Sequence, residues 1–207
     1  MHLCFFGGTF DPPHRGHILA ARAAADRFSL DRVLLVPANI PPHKLATPVT
    51  DYAHRLNMVE IAVHAAADPR LNASDIESPA LTAGRTNYSL HTIQRLRESM
   101  SATDKLFFLL GADAFKELNT WHQPAGLAKL CEFIVVSRPR YDFATALAAL
   151  PAELRSALTT HTIDTVMEDV SATQVRDLVA HGQPLDGLVS SEVAAYIHFH
   201  GLYKSAA

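Results

Sequence analysis

The sequence predicts an α/β fold: a parallel sheet covered by helices. Three observations carry this. Short apolar runs alternate with helix-period segments along the 207 residues. Two of the runs, Arg32–Pro37 and Glu132–Val136, are almost continuously apolar, as strands buried on both faces are. The first run leads through Gly7-Gly8 straight into an Ala/Leu-rich helical pattern, the strand–turn–helix order of a crossover unit. In such sheets ligands bind beyond the C-terminal strand ends, where the topology switches.

In order, strand 1 covers about 3–6 and helix 1 about 16–28. Strand 2 is Arg32–Pro37 and helix 2 roughly 51–67, with apolar Leu56, Val59, Ile61, Ala62 and Ala66. A weak strand 3 lies around 71–76, and helix 3 runs about 89–100. Strand 4 is 105–110 and strand 5 is Glu132–Val136. The Ala- and Leu-rich stretch 141–160 is a helical excursion. A last weak strand near 161–166 precedes helices near 172–181 and 190–200. No repeat or long linker divides the chain, so one domain, 1–207, is expected, with a small C-terminal helical part at about 168–207.

Composition narrows the function classes. The 48% hydrophobic content suffices for a core, and the net charge of −3 argues against a nucleic-acid surface. Any anion must be held by a local site. The two cysteines, Cys4 and Cys131, sit in apolar runs without a C-x-x-C neighbour, as reduced core thiols do. No apolar segment has membrane-spanning length, and the N-terminus has no basic, signal-like region. A cytoplasmic location without membrane association is expected.

The chemistry concentrates in Gly7-Gly8-Thr9-Phe10-Asp11-Pro12-Pro13-His14-Arg15-Gly16-His17. Adjacent glycines allow a sharp bend and close approach of a ligand. A helix start offers unpaired N–H groups and a favourable dipole to an anion. His14 and His17, three residues apart, can share a helical face. The pattern is neither G-x-G-x-x-G nor a Walker loop; it reads as a phosphate site of another kind.

These residues resemble the nucleotidylyltransferase superfamily, whose hallmark is His-x-Gly-His after the first strand. The Gly-Gly-Thr-Phe-Asp-Pro form most resembles the bacterial nicotinate-nucleotide adenylyltransferases. The resemblance implies a Rossmann-like, doubly wound sheet of nucleotidylyltransferase type. It places ATP against Gly7, Gly8, Thr9, Phe10, His14 and His17. The loop Pro37-Ala38-Asn39-Ile40-Pro41-Pro42-His43-Lys44 resembles the family's second phosphate-contacting segment and makes Lys44 a phosphate ligand, with His43 beside it. Taken alone, Lys44 is a solvated loop lysine. Arg55 reads first as a helix surface charge and second as a brace for the site.

Further along, Thr86-Asn87-Tyr88-Ser89 reads as a helix start capped by Asn87 or Ser89. In the family reading, N–H groups at Tyr88 and Ser89 hold the nicotinate carboxylate. Gly111 and Asp113 at the end of strand 4 fit a ribose site, with an Asp cap as the plain alternative. Trp121, otherwise core packing, resembles the residue that stacks on the pyridine ring, and His122 adds a backbone N–H. Arg138 resembles a triphosphate ligand, followed by Arg140 where relatives usually carry Gly. Ser171, Thr173 and Arg176 resemble the closing segment: the first two can cap the helix, and the Arg176 fork reaches phosphate oxygens. The tail through Gly201-Leu202-Tyr203 is also typical of the family.

The implied reaction joins ATP and nicotinate mononucleotide to give deamido-NAD and pyrophosphate. His17, His14, Lys44 and Arg176 are the implied catalytic set, with Tyr88, Ser89, Trp121 and His122 on the substrate. Mg²⁺ is expected to ride chiefly on the ATP phosphates, with no protein metal site. Homo-oligomers remain open. Two alternatives stand: an adenylyltransferase of the pantetheine-phosphate type, and a nucleotide sensor without turnover.

Overall fold

The computed structural model describes residues 1–40, 49–83, 86–137, 142–164 and 170–204. Six strands form one sheet: β1 (His2–Gly8), β2 (Arg32–Pro37), β3 (Leu71–Ala73), β4 (Lys105–Gly111), β5 (Glu132–Val136) and β6 (Thr160–Ile163). Their order is β3-β2-β1-β4-β5-β6 and every pairing is parallel. The order reverses between β1 and β4, which opens the crevice where such sheets bind ligands.

The strand period of two sorts side chains onto two faces. Leu3, Phe5, Phe108, Leu110, Phe133 and Val135 share one buried core with Leu90, Ile93 and Leu96. Those last three belong to helix α4 (Ser89–Glu98), which follows α1 (Arg15–Phe28), α2 (Tyr52–Ala66) and the single turn α3 (Pro79–Thr82). Cys4, Phe6, Val33, Leu35, Phe107 and Leu109 face the other way, onto Ala20, Ala21, Ala24 and Ala25 of α1. Alanines there let α1 lie close against the sheet. Both cysteines are free and buried, Cys4 in β1 and Cys131 one residue before β5. Burial pushes the Cys131 thiol up to about 12, so both are inert core groups.

Later come α5 (Ala112–Lys116), α6 (Pro124–Ala128), α7 (Phe143–Ala148), α8 (Ala152–Ala157), α9 (Ala172–Ala180) and α10 (Ser191–Phe199). The last two pack on α2 through a third core, where Val175, Val179, Val193 and Ile197 meet Met58 and Ala62. The expected excursion at 141–160 is α7 and α8, and β6 already begins at its end. Strand 3 is shorter than expected: the ladder stops at Ala73. The expected last strand, 161–166, is β6, and 165–169 lie outside the described residues. Among the described residues no helix is long and apolar enough to cross a membrane.

Candidate active site

The chain does not turn on its paired glycines. Gly7 and Gly8 are the last residues of β1, and neither has a positive φ. Their lack of a side chain makes room for rings: a Cβ on Gly7 would stand 2.7 Å from Phe5 Cζ, and one on Gly8 3.1 Å from Phe10 Cζ. The turn comes two residues later, at Phe10 (φ 49°) and the cis Asp11–Pro12 bond. A left-handed phenylalanine is a rare and costly conformation. Burial holds it, with the Phe10 ring edge-on to Phe6 at 5.5 Å and to His17 at 4.8 Å.

Asp11 is buried and tied from three sides. The Tyr203 hydroxyl donates to its Oδ1 (2.7 Å) and the Thr50 N–H to its Oδ2 (3.2 Å). Arg176 donates to its backbone oxygen (2.8 Å). The C-terminal tail, the α2 approach and α9 therefore all meet at the motif turn.

The turn delivers His14 to the N-cap of α1. The His14 N–H donates to His17 Nδ1 (3.1 Å), and the two rings lie 3.7 Å apart. Burial lowers the His17 pKa well below its ordinary value, and neighbouring His14 adds to this. His17 is therefore neutral at physiological pH. Its Nδ1 is an acceptor, so the remaining proton sits on Nε2. A neutral N–H donor beside a helix start suits a phosphate oxygen.

Arg55 is not a surface charge. It is 1% exposed, and its guanidinium donates to four carbonyl oxygens: Thr50 (2.7 Å), Thr9 (2.8 Å), Ala38 (2.7 Å) and Asn39 (3.4 Å). One side chain thus ties the motif turn to both ends of the segment 40–50. Burial lowers its pKa while Asp11 opposes the shift; an arginine keeps its charge nonetheless. The signal was present in the sequence: with Met58, Val59 and Ala62, all buried, Arg55 occupies the first place of an i, i+3, i+4, i+7 stripe.

A cleft of about 310 Å³ opens at the switch point, between the ends of β1 and β4 and the start of α4. Its wall brings together Gly7, Gly8, Thr9, Tyr88, Ser89 and Trp121, with Gly111 and His122 beside them. Trp121 leans on Phe108 (5.7 Å), and Tyr88 stacks on His122 (4.4 Å). A Cβ on Gly111 would meet nothing within 4 Å, so this edge is open. Glu77, which sequence reasoning missed, also lines the cleft.

The expected caps are redistributed. Tyr88 is the N-cap of α4 and caps it with no side-chain bond. Neither Asn87 nor Ser89 does so; Asn87 Oδ1 instead accepts the Ile40 N–H (2.8 Å), pinning that loop to the helix start. Tyr88, Ser89 and Leu90 at the start of α4 line the cleft, and among the described residues no side-chain cap from Tyr88 covers it. Asp113 is not a cap either: Gly111 is the N-cap of α5, and Asp113 is exposed in its first turn. Ser171 does cap α9, accepting the Gln174 N–H (3.1 Å). Thr173 instead receives Arg176 (3.1 Å), orienting that guanidinium toward Asp11. Lys44, His43, Arg138 and Arg140 lie outside the described residues.

A family model described as cytidylyltransferase-like matches residues 5–178. A probable nicotinate-nucleotide adenylyltransferase of Solibacter usitatus is 39% identical, over 99% of this chain and 100% of its own. The chain belongs to the nicotinate-nucleotide adenylyltransferase family. Another probable nicotinate-nucleotide adenylyltransferase, of Chromobacterium violaceum, is 36% identical over 96% of this chain and 97% of its own. The fold is also that of Plasmodium falciparum nicotinic acid mononucleotide adenylyltransferase complexed with NaAD: TM-score 0.78 at 17% identity, covering 98% and 97% of the two chains. Within this member of the family, the motif turn, the capped histidine pair and the cleft are all assembled by the β1/β4 switch point and the Asp11 and Arg55 ties.

Proposed function

We propose that this chain transfers the adenylyl group of ATP to nicotinate mononucleotide, releasing pyrophosphate and forming deamido-NAD. The observation that carries the proposal is the cleft itself. Its wall combines a large aromatic surface, Trp121, with the start of α4, where the N-cap residue Tyr88 makes no side-chain cap bond. An aromatic ring bearing an anionic group fits that pairing. The names of the relatives point to the same substrate.

The nucleophile is the mononucleotide's own phosphate. With a second pKa near ~6 it is largely dianionic at neutral pH, so no general base is needed. The protein positions and stabilises charge. In this reading the neutral His17 donates from Nε2 to the α-phosphate as charge develops, with His14 beside it and the α1 N–H groups aiding. Gly7, Gly8, Thr9 and Phe10 shape the path of the triphosphate. Ser171, Thr173 and Arg176 flank it from α9, and Gly111 and Asp113 take the ribose. Tyr88, Ser89 and His122 serve the ring carboxylate through backbone N–H groups. Lys44 and Arg138 complete the phosphate contacts on the strength of the family resemblance. The donors at the α1 start are imidazoles and N–H groups, suited to phosphate oxygens and not to Mg²⁺. Mg²⁺ would be held by the ATP phosphates, where it would neutralise charge on the leaving pyrophosphate.

Pyrophosphate release from ATP tests the proposal. Release that depends on nicotinate mononucleotide is expected. Release with phosphopantetheine instead would move the chain to the pantetheine-phosphate reading, and no turnover with any acceptor would leave the sensor.

A further inference from the structure

Among the described residues that line the cleft, Glu77 is the only acid and none is a lysine or arginine. It is 4% exposed. Its Oε1 accepts the Thr92 hydroxyl at 2.6 Å, and Thr92 lies one turn into α4, just behind Ser89. The Glu77 carboxyl therefore sits under the helix start that the proposed function gives to the ring carboxylate.

Among the described residues the charged neighbours are few. Arg95 of α4 attracts the carboxylate, but its guanidinium is held on the Ile76 oxygen (2.8 Å). No ion pair within 4 Å links Glu77 to a cation among the described residues. Tyr52 of α2 is near enough to feel both Glu77 and Asp75; burial, with these acids adding, pushes its phenol up to about 12, so it stays neutral. His122 stands in the cleft wall, stacked on Tyr88. Burial pushes the Glu77 carboxyl up to about 7, against the pull of Thr92 and Arg95.

Two carboxylates in one desolvated pocket do not both ionise; one takes a proton. The ring carboxylate is an intrinsically stronger acid than a buried glutamate and faces the α4 N–H groups, so it keeps its charge. We infer that Glu77 is a specificity-determining residue of the pyridine pocket, taking up a proton from solvent as a carboxylate-bearing ring enters. Below its titration the neutral acid accepts nicotinate. Above it, the ionised carboxylate repels nicotinate and offers an acceptor to a carboxamide NH₂. Preference for nicotinate over nicotinamide therefore falls as pH rises. The inference rests on the proposed substrate.

The test is the ratio of kcat/KM for nicotinate and nicotinamide mononucleotides as a function of pH. Titration of their shared phosphate, and of any group acting alike on both, cancels in the ratio. A carboxyl whose pKa rises by about one unit when nicotinate binds lowers the ratio toward a tenfold limit, so a fall of about fivefold to tenfold between about pH 6 and pH 8.5 is expected. Calorimetry of nicotinate mononucleotide binding in buffers of different ionisation heat should show proton uptake near neutral pH beyond that seen with nicotinamide mononucleotide. Glu77→Gln should flatten the ratio and abolish the difference in uptake. Thr92→Val, which removes the donor to the ionised form, should move the fall to higher pH. A ratio well above one but independent of pH, with no difference in uptake, overturns the role of Glu77 and leaves the proposed function standing. A ratio near one at every pH overturns the carboxylate pocket, and Glu77's role with it.

Discussion

Arg55→Leu tests how the site is held together. The substitution removes a buried guanidinium whose three shorter bonds, 2.7–2.8 Å, end on Thr50, Thr9 and Ala38. A bond to a charged group contributes about 1.5–3 kcal/mol, and a buried carbonyl left unpaired costs about 1–3 kcal/mol. Burying the charge was itself unfavourable, and losing that cost offsets part of the sum. The net expectation is a destabilisation of about 4 kcal/mol, or a Tm lower by about 8–16 °C for a chain of this size. Arg55→Lys keeps the charge but has one nitrogen to reach acceptors that diverge around a planar fork, so it should recover about half. Because Thr9 belongs to the motif turn, KM for ATP should rise in both variants. Urea unfolding and steady-state kinetics check both effects. A change under about 1 kcal/mol for Arg55→Leu, with unaltered ATP kinetics, would refute the tie.

His17→Ala should lower kcat by on the order of 10²–10³ with a smaller effect on KM, as expected for a donor whose contact strengthens in the transition state. Near-normal kcat with only a raised KM would remove His17 from the α-phosphate. Trp121→Ala should weaken nicotinate and nicotinamide mononucleotides alike and leave their ratio nearly intact, because stacking does not read the ring substituent; a changed ratio would assign Trp121 a different role. Glu77 predicts a pH dependence of stability. Its folded pKa of about 7 stands above the ordinary 4.5, so between those values the folded state keeps a proton that the unfolded chain has lost. Stability contributed by the neutral acid is complete below 4.5 and is lost as pH rises through about 7, to about 3 kcal/mol. Glu77→Gln should therefore gain on the parent as pH rises, as read from urea midpoints at about pH 5 and pH 8, and a constant difference would contradict the shift.

What the sequence made legible follows from which interactions are local. β1, β2, β4 and β5 were readable because strands buried on both faces must be apolar throughout. α1, α2 and α4 were readable from their period. The short helices α3, α5 and α6 were not, because four or five residues show no period. At the site, the histidine pair was legible from its spacing. The glycines were legible in position but not in purpose: Phe5 and Phe10 rings occupy the space that a Cβ would take, while the bend belongs to Phe10. Asn87 has the residue type of a cap, but its acceptor is taken by Ile40 from a distant loop. Arg55 finds its acceptors on other elements, and Asp11 finds Tyr203 at the far end of the chain. Such partnerships depend on the tertiary fold, and no local pattern carries them.

Adenylyl transfer to nicotinate mononucleotide is best checked by identifying the product. The enzyme would be incubated with ATP labelled at the α-phosphate, Mg²⁺ and equal amounts of nicotinate and nicotinamide mononucleotides, slightly below neutral pH, and the labelled dinucleotides separated. Label is expected chiefly in deamido-NAD, with one pyrophosphate released per dinucleotide formed. Label chiefly in NAD, or no labelled dinucleotide at all, would contradict the proposed transfer.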